Sequence, residues 1–191
     1  MNITTEQIFT EARSQNGFLD APVPDAMLRS LYDLMKWGPT SVNCQPARVV
    51  FVRSEAEKAR LVECVSPANQ PKVRSAPVTA IIGMDMAFHE QLPRLVPHVD
   101  ARSWFAGNAP MIEATAFRNS SMQAAYLIIA ARALGLDCGP MSGFDADQVD
   151  AQFWPGTQVR TNVLCTLGKG DPSKVHPRLP RLAFDEVCRL A

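Results

Sequence analysis

The chain has few cysteines and lacks the segments that direct a protein out of the cell or into a membrane. Its five cysteines are an odd number and form no CxxC pair, so the sequence indicates neither a disulfide framework nor a zinc site. The longest apolar stretches, such as residues 124–131, are much shorter than the roughly 20 residues of a membrane-spanning helix. The N-terminus has neither the basic start nor the apolar core of a secretion signal. We therefore expect a cytoplasmic protein with buried, reduced thiols.

An excess of charge of one sign is also missing. Nineteen basic residues balance nineteen acidic ones, which argues against nucleic acid and anionic membrane as partners. Hydrophobic residues make up 47% of the 191 residues and charged residues 20%, a composition that predicts one domain folded over residues 1–191. The expected partner is a small molecule.

The motifs of several common enzyme classes are absent. No GxGxxG follows an apolar run and no GxxxxGK is present, so a Rossmann dinucleotide site and a P-loop are not indicated. In Gly139-Pro140-Met141-Ser142-Gly143 the serine stands one place too late for a nucleophile elbow. The three histidines, His89, His98 and His176, share no metal-ligand spacing. Hydrolysis by a serine or by a metal is therefore disfavoured.

Periodicity and capping residues predict an α+β fold in which a sheet packs on helices. Thr4 and Gln7 have the spacing of a capping box, as do Ser54 and Glu57, so each pair predicts the start of a helix. The predicted elements are helices from Thr4 to about Arg13, over 24–37, from Ser54 and over 114–134, strands over 49–52, 78–84 and 162–167, and a lid-like, proline-rich insertion over about 88–110.

Polar and basic residues cluster in four segments that we expect to be loops beside apolar elements. These are Arg13-Ser14-Gln15-Asn16, then Pro39-Thr40-Ser41-Val42-Asn43-Cys44-Gln45-Pro46, then Asn69 with Lys72, and lastly Pro140-Met141-Ser142-Gly143 with Arg178 and Arg181 in the tail. Each segment alone has an ordinary structural explanation as a solvated charge or a turn. Arginines and hydroxyls together suit a phosphate, because they offer charge-assisted hydrogen bonds.

In their order along the chain, these segments resemble the flavin-dependent nitroreductase family. The family has a basic-Ser-x-basic patch, a PSxxNxQP loop, an Asn and a Lys three residues apart, a Pro-x-x-Gly turn and a tail arginine. This sequence has Thr40 for the first Ser of the loop, Ala12 and Asn16 at two basic positions, and Ser142 where an acid is sometimes found. The PSxxNxQP match is the most specific of these elements.

The resemblance implies a central, mostly antiparallel sheet, an intertwined homodimer and one FMN per subunit, with NAD(P)H as a transient electron donor. It also implies that the loop after Pro39 reaches the flavin of the partner subunit, and that Lys72 with Asn69 favours the reduced flavin. The expected FMN contacts are Arg13, Ser14, Asn16, Thr40, Ser41, Asn43, Asn69, Lys72, Pro140, Met141, Ser142, Gly143, Arg178 and Arg181.

Three further segments are similar to the malonic semialdehyde reductase branch of that family: residues 100–105, 117–128 and 138–145. Such a substrate is a small anion, so its carboxylate needs a cation over the flavin. Arg102 and Arg118 are the candidates, and either could instead only hold the insertion in place. Two other functions stay open: a broad NAD(P)H-dependent nitro or quinone reductase, and a flavin-binding protein without turnover.

Overall fold

Four antiparallel strands lie at the centre of the computed structural model, which describes residues 3–191. They run in the order β1-β2-β4-β3, so β1 and β3 are the two edges of the sheet. Their bounds are β1 Ala47–Val52, β2 Val78–Asp85, β3 Asp137–Met141 and β4 Val159–Gly168. The expected α+β architecture with a mostly antiparallel sheet is confirmed.

Among residues 3–191, seven α-helices cover the sheet or extend from it. They are α1 Asp25–Met35, α2 Glu55–Cys64, α3 Gln70–Ser75, α4 Leu92–Leu95, α5 Ala109–Ala133, α6 Ala146–Phe153 and α7 Phe184–Val187. Helix α2 begins where the Ser54 hydroxyl accepts a hydrogen bond from the backbone N–H of Glu57. No helix among residues 3–191 has both the length and the apolar character needed to cross a bilayer.

Strand β2 is buried on both faces, as its continuous apolar run predicts. Val78, Ala80 and Ile82 pack in a cluster with residues of α1 and α5 on one face. Ile81 belongs to a second cluster with residues of α2, α3 and α6 on the other face. The sheet is therefore the middle layer between two sets of helices.

The segment expected to form a lid-like insertion is an irregular helical stretch with its own small core. Two 3₁₀ turns, Phe88–Gln91 and Ala101–Trp104, flank α4. Phe88, Leu92 and Phe105 are buried there against Cys44 and Met84. The insertion thus packs against the loop before β1 and the end of β2.

Two predicted boundaries are wrong. The first helix is a short π-helical turn, Glu6–Thr10, although Thr4 and Gln7 do exchange the predicted capping hydrogen bonds. It ends before Arg13 because Ser14 pairs with Cys138 and draws the chain into an extended form. The long helix begins at Ala109, five residues earlier than its periodicity suggests, because the Asn108 side chain caps it.

The sequence did not predict one strand and three helices, the third of which is the short α7 in the tail. Pro140 and Met141, expected in a turn, belong to β3, where a proline is tolerated because β3 is an edge strand. Lys72, expected in a loop, lies in α3. Helix α6 was also missed, although Asp145 caps it with its carboxylate.

Candidate functional site

The segment from Arg13 to Asn16 runs alongside the edge strand β3. Ser14 forms a bridge with Cys138, and the N–H of Gln15 donates to the Cys138 carbonyl at 2.9 Å. A Cβ atom on Gly139 would lie 2.6 Å from the Gln15 carbonyl oxygen and 2.4 Å from the Thr166 hydroxyl. Only glycine allows this approach, so β3 and the Arg13 segment form a close pair.

The start of the tail lies against the same segment. The Arg13 guanidinium donates to the His176 carbonyl, and the Arg178 guanidinium donates to the Glu11 carbonyl at 3.4 Å. Arg181, in contrast, donates to backbone carbonyls of its own segment, at Leu179 and Pro180. The structure therefore brings Arg178 beside Arg13 and does not do so for Arg181.

Asn69 connects α3 to the end of β3. Its side-chain amide donates to the carbonyl of Gly143 at 2.9 Å, and the N–H of Ser66 donates to the same oxygen at 3.0 Å. A Cβ atom on Gly143 would lie 2.8 Å from both the Asn69 amide nitrogen and the Ser66 hydroxyl. Glycine is needed at this position for close approach and not for a positive φ.

Lys72 lies one helical turn beyond Asn69 and is half-buried. The N–H of Lys72 donates to the Asn69 carbonyl, so the two residues keep a fixed spacing. The sequence signal for this missed helix was Pro71, which suits the first turn of a helix because its missing N–H has no partner there in any case.

We call these residues the β3-edge group. Its members share one edge of the sheet: Arg13, Ser14, Asn16, Asn69, Lys72, Pro140, Met141, Ser142, Gly143 and Arg178. Two guanidinium groups and a hydroxyl suit a phosphate, and an amide with an ammonium group suits the polar edge of a ring that gains electrons. The donor chemistry of this group therefore fits FMN.

Thr40, Ser41 and Asn43 lie at the other edge of the sheet, in the loop before β1. Strands are spaced about 4.8 Å apart, so three spacings put β1 and β3 roughly 14 Å from each other. The loop turns away from β3 toward the insertion, where the Asn43 amide donates to the Leu95 carbonyl at 3.1 Å. One subunit thus holds the expected flavin contacts as two separate sets.

The two candidate substrate arginines have different surroundings. Arg102 makes a bidentate ion pair with Glu90 across the insertion, with N···O distances of 2.7 and 2.9 Å. Hydrogen bonding to Arg102 lowers the pKa of Glu90 below its ordinary value. Arg118 is exposed on α5, directly before Asn119, whose side chain accepts a hydrogen bond from the N–H of Ser41. Arg118 therefore directly precedes the residue that bonds the Ser41 loop, on a neighbouring and exposed face of α5.

The cysteines are all free, and Cys44, Cys64, Cys138 and Cys165 are buried as expected, whereas Cys188 is exposed. Burial raises the pKa of the Cys44 thiol to about 11. Within residues 3–191, no group of histidine, cysteine and acidic side chains could hold a metal ion.

Two residues with a role at the site were not identified from the sequence. Asn119 and Gln123 lie on the buried side of α5 and bond the backbone at both ends of the loop that carries Thr40, Ser41 and Asn43. Their signal was a pair of amides, four residues apart, on the side of α5 that faces the core.

Comparisons with known proteins point to one family. The model of the Nitroreductase family matches residues 10–169. A protein from Polynucleobacter asymbioticus, provisionally named NADH dehydrogenase/NAD(P)H nitroreductase, is 60% identical over 97% of this chain and 94% of its own. The similarly named HadB of Ralstonia pickettii is 59% identical over 99% of this chain and 98% of its own. A protein from Exiguobacterium sibiricum, solved in complex with FMN, superposes with a TM-score of 0.89 at 20% identity, covering 100% of this chain and 99% of its own.

Proposed function

Because the chain belongs to the nitroreductase family, we propose that it is an FMN-dependent NAD(P)H oxidoreductase. The substrate that we propose is malonic semialdehyde, which the enzyme would reduce to 3-hydroxypropionate. The observation that supports it most is the β3-edge group, in which Asn69 is bonded to Gly143 and Arg178 lies beside Arg13. In this group, segments that are far apart in sequence supply the hydrogen-bond donors that the phosphate and the ring of a flavin require.

In this proposal Arg13 and Arg178 bind the phosphate of FMN, with Ser14 and Asn16 beside them. Each guanidinium donates one hydrogen bond to a backbone carbonyl, which fixes its position. Asn69, Lys72 and the segment from Pro140 to Gly143 face the ring. When bound, FMN supplies the hydride chemistry, taking two electrons from NAD(P)H and passing them to the substrate. The Lys72 ammonium favours that uptake because its positive charge opposes the negative charge gained.

We further propose that the active unit is an intertwined homodimer in which Thr40, Ser41 and Asn43 of one subunit complete the flavin site of the other. The separation of the two sets of contacts at opposite sheet edges supports this arrangement. The tail supports it as well, because its apolar side chains are largely exposed in one subunit: Leu179 by 73%, Leu182 by 68%, Phe184 by 58%, Val187 by 61% and Leu190 by 87%. A second copy that covers them would remove a costly apolar surface from water.

The carboxylate of the substrate is assigned to Arg118 in preference to Arg102. Arg102 is already bidentate to Glu90, so a substrate anion would have to compete with a carboxylate that is held in place. Arg118 is exposed and lies beside the anchor of the Ser41 loop. An ion pair to Arg118 would orient the aldehyde and favour acids over uncharged aldehydes.

The second candidate is a broad-specificity NAD(P)H nitro or quinone reductase with the same cofactor. The names of the relatives at 60% and 59% identity favour it. The five free thiols are compatible with either function in a reducing compartment such as the cytoplasm.

Purification followed by rapid kinetics distinguishes these functions. We expect a yellow protein that releases FMN when it is denatured and bleaches with NAD(P)H, whereas a flavin-binding protein without turnover would not bleach. Anaerobic stopped-flow mixing of the reduced protein with malonic semialdehyde or with a nitroaromatic then compares the two substrates. Faster reoxidation by the aldehyde acid supports the proposal, and reoxidation by the nitroaromatic alone supports the second candidate.

A further inference from the structure

One side of α5 carries three polar side chains that bond the backbone around a single loop. The Tyr126 hydroxyl donates to the Pro39 carbonyl at 2.9 Å. The side-chain oxygen of Asn119 accepts from the Ser41 N–H at 2.8 Å, and the side-chain oxygen of Gln123 accepts from the Ala47 N–H at 2.9 Å. Their spacing of four and then three residues places them in one row along the helix. The row therefore holds the loop before its first turn, within it and at its exit into β1.

This loop has an unusual backbone. Val42, Asn43 and Gln45 all have positive φ angles, of 47°, 50° and 40°. Asparagine adopts this region with some ease, but a β-branched valine rarely does. Such conformations are strained and persist only where surrounding contacts determine them. The row on α5 supplies such contacts from outside the loop.

The amides are placed where helix packing alone would favour apolar side chains. Asn119 is 1% exposed and Gln123 is 5% exposed. The Asn119 amide nitrogen also donates to the Thr115 carbonyl at 2.8 Å, which fixes the orientation of the side chain and aims its oxygen at Ser41. A buried amide without partners destabilises a fold, so these two are compatible with the core only while the loop keeps its shape.

We propose that Asn119 and Gln123 are positioning residues that preset the loop for its contact with flavin. This inference rests on the proposed function, in which Ser41 and Asn43 meet the FMN of the partner subunit. The two amides accept from the backbone N–H groups of Ser41 and Ala47 and leave the Ser41 side chain exposed, while the Asn43 side chain, also exposed, bonds the Leu95 carbonyl and the Gln45 amide. If the loop is already ordered, FMN binding does not have to supply the free energy of ordering it. The affinity for FMN is therefore higher.

The test uses two variants of similar shape that lack the acceptor, Asn119→Leu and Gln123→Met. Gln123→Glu is the rescue variant, because a carboxyl oxygen can still accept from the Ala47 N–H. Thr161→Val is the matched control, since it removes the buried hydroxyl that bonds Asp150 and Trp154, next to α6 and away from the loop. For each full-length variant we would measure the melting temperature, amide hydrogen exchange at Ser41 and Ala47 without flavin, and the Kd for FMN by fluorescence quenching.

We expect exchange at Ser41 and Ala47 to accelerate in the two variants that lack the acceptor and the Kd for FMN to rise about fivefold in each, as for the loss of one buried hydrogen bond. Gln123→Glu should restore both quantities toward the wild-type values. Thr161→Val should lower the melting temperature without changing the Kd. An unchanged Kd in the two variants, or an equal rise in Thr161→Val, would overturn the inference.

Failure of the proposed function gives a different result. Wild-type protein that binds no FMN would overturn the flavin assignment and, with it, the role of the loop in cofactor binding. Exchange at Ser41 and Ala47 would still report whether the two amides hold the loop, because that measurement needs no flavin. The two failures are therefore distinguishable.

Discussion

The side-chain amide of Asn69 donates to the carbonyl oxygen of Gly143, 2.9 Å away and 74 residues later in the chain. This bond joins the start of α3, which carries Lys72, to the segment that leaves β3. A glycine is required at the acceptor, because a Cβ atom there would lie 2.8 Å from the Asn69 nitrogen. The relative position of Lys72 and the end of β3 therefore depends on the absence of one methyl group.

The first prediction concerns that contact. Gly143→Ala should push Asn69 away from its acceptor and raise the Kd for FMN about fivefold to tenfold, the effect of one lost hydrogen bond with some strain. Asn69→Leu should cause a similar loss, and the double variant should be little worse than either single one, because both changes remove the same bond. Flavin titration of the three variants checks this. Fully additive losses would mean that the two residues act independently.

The second prediction concerns Lys72. Lys72→Ala should slow reduction of the flavin by NAD(P)H on the order of a hundredfold, the cost of removing one charged group that faces a developing negative charge. Binding of the substrate should change much less, since the charge matters most as the electrons arrive. Lys72→Arg keeps the charge and should retain more of the rate. Stopped-flow reduction measures both variants, and an unchanged rate in Lys72→Ala would remove Lys72 from this role.

The parts of the fold that the sequence predicts are those with a strong local signal. The continuous apolar run of β2 and the capping hydroxyl of Ser54 each depend on a few adjacent residues, and both agree with the structure. Strand β3 has no such signal, because a segment of five residues that contains Gly139 and Pro140 is typical of a turn. It is a strand because β4 and the Arg13 segment offer it backbone partners on both sides.

The candidate site could likewise be predicted only where local sequence patterns carry the information. The motifs list its residues in order, but the choice between Arg178 and Arg181 depends on how the tail passes Glu11 and Arg13. The anchoring of the Ser41 loop by Asn119 joins residues 78 positions apart, which no local pattern reveals. Long-range contacts of this kind appear only when the chain is folded.

The third prediction concerns the tail and the dimer. A chain that ends at Arg181 keeps Arg178 but lacks four of the exposed apolar side chains, Leu182, Phe184, Val187 and Leu190. If a second copy covers them, burial of each such side chain contributes about 1.5–3 kcal/mol, so the truncated chain should dissociate at micromolar concentrations where the full chain stays dimeric. Sedimentation velocity measures this. A full-length chain that is a monomer and still holds FMN would contradict the shared site.

The fourth prediction depends on the contact between Arg102 and Glu90. Arg102 lowers the pKa of Glu90, so the ion pair is intact at neutral pH and is lost as the pH falls through that lowered value. Glu90→Gln should remove the pair at all pH values and mimic Arg102→Ala. If Arg102 only holds the insertion, the two variants should reduce turnover of aldehyde acids and quinones by the same factor. A loss confined to acids in Arg102→Ala alone would instead place Arg102 on the substrate.

The last prediction is that Arg118 binds the carboxylate of the substrate. Reduction of an aldehyde needs orientation of the carbonyl more than a protein nucleophile, and an ion pair at the far end of a short acid provides that orientation. Removing the cation in Arg118→Ala should lower kcat/KM for malonic semialdehyde by about 1.5–3 kcal/mol, the value of a hydrogen bond to a charged group, and leave quinone reduction almost unchanged. Arg118→Lys should recover part of the loss. Steady-state kinetics with both substrates provides the measurement, and equal losses for acid and quinone would show that Arg118 serves the structure or the flavin.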